Sequence, residues 1–237
     1  MSNSYFQFKQ FRVDQEHCAM KVSTDACIQG AWTPVSSEIK NILDIGAGTG
    51  LLSLMMAQRN KTAHIDAIEL DTNSARQAQQ NFEQSEWGKR LNIIEADVRQ
   101  YKFEKKYDLV ICNPPFFVNS LLGNNEKRNV AKHTINLLFK DLFHAIVQSL
   151  SPTGYASVLL PAMEHKEWSK LLEANNWQIF HELNIVPRVK EKPNRVISLC
   201  SSSPTNMELT EDLIIRNSTN EYTPEFTHLL KPFYLKL

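Results

Sequence analysis

The chain lacks an excess of either charge: 26 Lys and Arg balance 26 Asp and Glu over 237 residues. Bulk attraction to a polyanion is therefore excluded, and affinity for nucleic acid would have to come from local clusters of Lys and Arg. No apolar run approaches the length of about eighteen residues that a membrane span needs. Met1 to Lys9 is polar and aromatic, without the apolar stretch of a secretory leader. We expect no membrane association, no secretion and a cytoplasmic location. Cys18, Cys27, Cys112 and Cys200 form no CxxC pair and no spacing of a zinc site or disulfide framework. Reduced thiols and no bound metal follow. Repeats and low-complexity linkers are also missing. What is present, 42% hydrophobic residues in a chain of this length, suffices for one core and not for two ordinary domains.

Short runs rich in Ile, Leu and Val alternate with longer amphipathic stretches. Strands are predicted over Ile42–Ile45, His64–Leu70, Leu91–Glu95, Tyr107–Cys112, Tyr155–Leu160 and Ile179–Val186, and helices over Leu51–Arg59, Thr72–Ser85, Leu138–Ser149 and His165–Asn175. This order predicts an α/β fold, a doubly wound and mostly parallel sheet covered on both faces by helices. The core would run over 36–186, with an N-terminal extension over 1–35. A C-terminal part over 187–237 would hold a basic loop and extra strands at Val196–Cys200 and Leu213–Arg216. Glu126 to Lys132, after Gly123, Asn124 and Asn125, reads as a loop.

The strongest motif is Asp44-Ile45-Gly46-Ala47-Gly48-Thr49-Gly50, between a strand and a helix. Glycines at alternate positions allow a tight turn and close approach of a ligand to the backbone, while the helix start offers free amides. The spacing is GxGxG with an acid two residues ahead, and a carboxylate there suits a cationic ligand better than a pyrophosphate. The next strand ends at Glu69, placed to accept from ribose hydroxyls. The third is followed by Asp97, an acceptor for an adenine amino group. Any one of these acids is more often a solvated loop residue or a helix cap than a ligand; three in order at strand ends point to a nucleoside ligand. Over Asn41 to Leu160 the pattern resembles the class I S-adenosylmethionine methyltransferases, which have a Rossmann-like fold, and the resemblance implies that cofactor.

After the fourth strand stands Asn113-Pro114-Pro115-Phe116, which resembles the (N/D)PP(Y/F/W) signature of methyltransferases acting on a planar amine. Such an amine is a poor nucleophile, its lone pair being delocalised. If the Asn113 side-chain oxygen and the Pro114 carbonyl accept its hydrogens, the nitrogen moves toward tetrahedral geometry and the lone pair is freed. The prolines hold those acceptors in place, and Phe116 offers a stacking face, with Phe117 either sharing that role or packing in the core. Asn113, Pro114 and Phe116 are thus the candidate catalytic residues. The tetrapeptide alone could also be a stiff turn, and it does not choose among adenine, cytosine, guanine or glutamine amines.

Further residues narrow the resemblance. Phe8-Lys9-Gln10-Phe11, Cys18-Ala19-Met20-Lys21-Val22, Thr24-Asp25 and Gly30-Ala31-Trp32 are similar to the N-terminal signature of the bacterial tRNA1(Val) adenine-37 N6-methyltransferases. So are Asn113 to Phe117 with Arg128, Ala131 and His133, the basic stretch Arg188 to Arg195, and the ending Phe233-Tyr234-Leu235-Lys236. Ser23 and Ala26 stand where that family usually has glycine, and Phe116 where many members have tyrosine. The resemblance implies transfer of a methyl group to N6 of an adenine in the anticodon loop of valine tRNA, by a monomer or weak dimer. Release-factor glutamine methyltransferases share NPPY but usually carry a helical N-terminal domain, for which this chain has no room.

Arg188, Lys190, Lys192 and Arg195 flank Pro187 and Pro193, so one loop can present them to phosphates. Lys127, Arg128 and Lys132 follow the catalytic turn, and Lys9, Arg12 and Lys21 lie near the N-terminus. Each cluster is as readily a solvated face; their flanking of one site favours RNA. Lys21, Thr24 and Asp25 are read as a lid over the cofactor, or else as the start of a helix through Trp32 capped by Thr24 or Asp25. His17 and His133 read as ordinary histidines, because the transfer needs no base.

Overall fold

Eight strands form the main sheet of the computed structural model, which describes residues 4–18, 20–114, 139–203 and 209–237. In chain order the elements are β1 (Tyr5–Gln7), β2 (Arg12–Asp14), α1 (Thr24–Trp32), β3 (Asn41–Ile45), α2 (Leu51–Arg59), β4 (His64–Glu69), α3 (Thr72–Glu83), β5 (Leu91–Glu95) and β6 (Tyr107–Cys112). A helix over 139–149, α4, precedes β7 (Leu150–Pro161). Then come α5 (Ala162–Ala174), β8 (Gln178–Arg188), β9 (Arg195–Ser201), β10 (Leu209–Arg216) and α6 (Pro224–Leu230).

The sheet order is β10-β8-β9-β7-β6-β3-β4-β5. Its pairings are parallel except where β9 runs against β7 and β8. β3 and β6 are central and almost wholly buried, as strands covered by helices on both faces must be. One core joins α1, α2 and α6 to one side of the sheet, and a second packs α4 and α5 on the other around Trp168. Gly30 lets α1 approach α2, since a β-carbon there would fall 2.6 Å from Met55 Sδ. Arg59 closes the far end of α1 by donating to the carbonyls of Gly30 and Thr33.

The predicted strands and helices form within a few residues of their expected bounds. β7 and β8 run longer, α3 ends at Glu83, and α5 begins at Ala162, directly after Pro161. Among the described residues, β1, β2, α6 and a short 3-10 turn over Gly88–Arg90 were not foreseen. β1 and β2 make a small antiparallel hairpin whose continuation reaches the C-terminus through a Phe8–Tyr234 bridge and a bond from Lys9 N to the Phe233 carbonyl, 2.8 Å. α6 starts with Thr223 as its cap and Pro224 in its first turn. The N-terminal segment does become a helix, but Ser23, one residue before the expected caps, accepts from Ala26 N at 3.2 Å. Ser23 is extended there, as a cap must be, while Thr24 and Asp25 already lie inside the helix. No helix among the described residues is long and apolar enough to cross a membrane.

Candidate active site

In a parallel sheet the C-terminal ends of the strands share one edge, and there the helices begin that follow β3 and β4. Asp44 to Gly50, Glu69, Asp97, Asn113 and Pro114 all fall at that edge. β3 and β6 are neighbours, with Ile45 opposite Cys112. Gly46 and Asn113 are the next residues of each strand, so the glycine turn and the Asn113 turn leave the sheet side by side, about 5 Å apart at their roots.

The glycine turn is held from below by the Ile68 carbonyl, which accepts from Gly46 N and Ala47 N at 2.9 and 3.2 Å. Gly46, Gly48 and Gly50 all have positive φ. Their surroundings differ. A β-carbon on Gly50 would strike the Phe82 ring at 2.4 Å, whereas Gly46 and Gly48 face open space. Gly50 thus serves packing between α2 and α3, and the other two leave a cradle. Asn81 steadies the turn by donating to the carbonyls of Thr49 and Asp14 while accepting from Asp14 N, which ties α3 and the β1–β2 hairpin to the loop.

Glu69 is half-buried. Its Oε2 accepts from Gly48 N at 2.8 Å and its Oε1 from Asp71 N at 2.9 Å, so the carboxylate already spans the mouth of the cradle. Asp44 is completely buried; Oδ2 accepts from Ser53 N and Oγ at 3.1 and 2.7 Å. Its Oδ1 has no hydrogen-bond partner among the described residues. Burial pushes the Asp44 carboxyl up to about 7, against the pull of Ser53. A buried acid with one unsatisfied oxygen awaits a donor, and a cationic one would restore its charge. Asp97 is clamped by Arg99, with Nε at 2.9 and 3.0 Å from its two oxygens, which holds its carboxyl below the usual range. The Asn113 Oδ1 atom is buried and likewise has no partner among the described residues.

The segment leading into α1 runs past the β4 turn, where the Cys18 thiol lies against Ser74 and Glu69, raised by burial. Lys21 and Thr24 are exposed. Thr24 bonds Tyr234, and Asp25 meets Arg195 Nε at 3.4 Å, so the first turn of α1 is tethered to the C-terminal part of the chain. Arg188, Lys190 and Lys192 are exposed on the β8–β9 connection, where Lys190 has φ +70 and Glu191 N bonds the Arg188 carbonyl. Because β8 runs parallel to β7 through β9, this connection leaves the sheet at the same edge as Asn113, about 10–15 Å along it. Phe116, Phe117 and Arg128, with Lys127, Lys132 and His133, lie outside the described residues.

The matching family model is the methyltransferase small domain, over residues 32–174. A tRNA1(Val) (adenine(37)-N6)-methyltransferase from Dyadobacter fermentans is 40% identical over 237 residues, covering 99% of this chain and 98% of that protein. One of the same name from Tolumonas auensis is 39% identical, covering 100% and 99%. This chain belongs to their family. Among solved structures, a protein described as a predicted O-methyltransferase from Agrobacterium tumefaciens superposes with a TM-score of 0.68 at 20% identity, over 88% of this chain and 96% of that one. That likeness concerns the fold.

Two residues of this family member's site escaped the reading of the sequence. Both are wholly buried: Asn81 donates to the Thr49 carbonyl of the glycine turn, and Gln29 to the Cys112 carbonyl at the end of β6. Nothing local marks them, since each is one polar residue within a helix and its partners lie far away in the chain.

Proposed function

We propose that this chain transfers a methyl group from S-adenosylmethionine to the exocyclic N6 of adenine 37 in tRNA1(Val). The cofactor suits the residues present: open room beside Gly46 and Gly48, a carboxylate at Glu69 fixed by the turn's own amide, and a buried Asp44 oxygen with no hydrogen-bond partner among the described residues. Asp44 would face its cationic end, Glu69 its ribose hydroxyls, and Asp97 its adenine amino group, while Lys21 and Thr24 would flank the entrance. When bound, it supplies a methyl group activated by an adjacent sulfonium.

The observation that carries the reading is the Asn113 Oδ1 atom, buried beside the glycine turn with no hydrogen-bond partner among the described residues. A buried acceptor without a donor costs about 1–3 kcal/mol, a cost offset when an amine hydrogen arrives. Asn113 Oδ1 and the Pro114 carbonyl would take the two amine hydrogens and leave the lone pair aimed across the gap toward the cradle. Phe116 would stack on the adenine, with Phe117 beside it. The surplus proton on the methylated nitrogen leaves to water, so no histidine is assigned to the reaction. Arg128, Arg188, Lys190, Lys192 and Arg195 would hold phosphates of the anticodon loop, which would extend along the sheet edge from the target base.

The test is incubation of the purified chain with labelled S-adenosylmethionine and tRNA from cells lacking the modification. Label as N6-methyladenosine at nucleotide 37 of tRNA1(Val) is the expected result. Label in release factor or at another RNA position would refute the assignment.

A further inference from the structure

We propose that Gln29 is a positioning residue for the methyl-accepting turn, its side-chain amide fixing the peptide that carries Asn113 and so aiming the Asn113 carboxamide. The inference rests on the role given to Asn113 above. Gln29 lies in α1 with no solvent exposure. Its Nε2 donates to the Cys112 carbonyl at 3.0 Å and to the Ser157 carbonyl at 3.1 Å, with Ser157 Oγ at 3.4 Å. Cys112 is the last residue of β6, and its carbonyl belongs to the peptide whose nitrogen is that of Asn113. Holding that oxygen fixes the plane from which the Asn113 side chain departs.

Packing alone does not explain the residue. Gln29 belongs to a small polar group, with Ser157 and Thr33, whose hydroxyls lie 2.7 Å apart, and all three side chains are buried. The group is incomplete: Gln29 Oε1 is buried with no hydrogen-bond partner among the described residues. A half-satisfied polar group in a core is less stable than apolar side chains of the same size. Leucine at this position would remove the unpaired Oε1 and, with it, the donor to the Cys112 and Ser157 carbonyls. The part of Gln29 that is satisfied is the donor, and it is spent on the two carbonyls where β6 and β7 approach the site edge. Displacing a reacting group by about 1 Å costs on the order of 100-fold in rate, so a fixed peptide here has a catalytic consequence.

The experiment uses the full chain, a tRNA1(Val) transcript and S-adenosylmethionine. Gln29→Leu should melt cooperatively and bind cofactor within about threefold of wild type, with kcat lowered about 10- to 100-fold and KM for RNA little changed. Ser157→Ala, which removes the neighbouring hydroxyl and leaves the Gln29–Cys112 bond, should keep kcat within about threefold. In Gln29→Glu the side chain can donate only when protonated, so kcat at saturating cofactor should recover toward acid pH and vanish as pH rises, a dependence absent from wild-type kcat. Wild-type-like kcat in Gln29→Leu overturns the proposal, as does an equal loss in Ser157→Ala. If Gln29→Leu does not fold, a wild-type pH profile in Gln29→Glu overturns it. Failure of wild-type chain to methylate the transcript would instead remove the functional reading, and is seen before any variant is compared.

Discussion

Acidification should weaken cofactor binding through Asp44. Burial raises this carboxyl from 3.8 to about 7, so its ionisation in the empty protein is disfavoured by about 4 kcal/mol. A cationic ligand at Oδ1 requires the ionised form. Below about 7 each pH unit then adds one tenfold step of proton removal to binding, and affinity at pH 5 should be about 100-fold below its plateau. Calorimetric titration with S-adenosylmethionine between pH 5 and 7 measures this. Asp44→Asn should bind more weakly at pH 7 and lose the slope. Stability moves the other way: an acid whose folded value is raised binds its proton more tightly when folded, so its penalty, present above about 7, disappears as pH falls toward 3.8. His165 opposes this. Burial lowers it from 6.5 to about 4, so its contribution, present above 6.5, is lost as pH falls toward 4. Asp44→Asn, which lacks the first of these effects and keeps the second, should become more acid-labile than the wild type in melting experiments. An affinity flat from pH 5 to 7, or an undiminished slope in Asp44→Asn, would refute the assignment of Asp44 to a ligand's cation.

Other consequences follow from the geometry. Asn113→Ala should lower kcat about 100- to 1000-fold while cofactor affinity, measured by titration, changes less than about threefold, because the missing acceptor acts on the amine. Gly50→Ala places a β-carbon 2.4 Å from the Phe82 ring at φ +78 and should destabilise by about 2–4 kcal/mol in denaturant melts. Gly48→Ala faces open space and should cost only about 1–2 kcal/mol of strain, yet weaken cofactor binding. Replacing Arg188, Lys190 and Lys192 by Ala together should flatten the log–log salt dependence of tRNA binding by about 0.7 for each phosphate that is no longer neutralised. Cofactor affinity, read in the same preparation, should be unaffected.

Much of the fold was legible because parallel strands buried on both faces are continuous apolar runs, and β3 to β6 fall within a residue or so of their predicted bounds. α2 and the Gly46–Gly50 turn were legible for the same local reason, since positive φ leaves glycine in the sequence. β1 and β2 escaped because three-residue strands carry no period, and they are held by pairing and by distant partners such as Asn81 and Phe233. α6 had a visible signal in Thr223-Pro224, a cap followed by proline, but only seven residues of helix to support it. Ser23 took the cap because the chain leaves extended geometry one residue earlier than the alternatives required.

By itself the sequence determined the order of strands and helices, the glycine spacing, and which acids and which asparagine stand at strand ends, because each is a property of neighbouring residues. Tertiary structure alone decided that the basic β8–β9 connection shares an edge with Asn113, that Asp44 is buried deeply enough to shift its titration, and that Gln29 and Asn81 brace the two site turns. Those facts depend on dehydration and on hydrogen bonds between residues 83 and 32 positions apart. Such bonds are chosen by packing, and no local pattern records them.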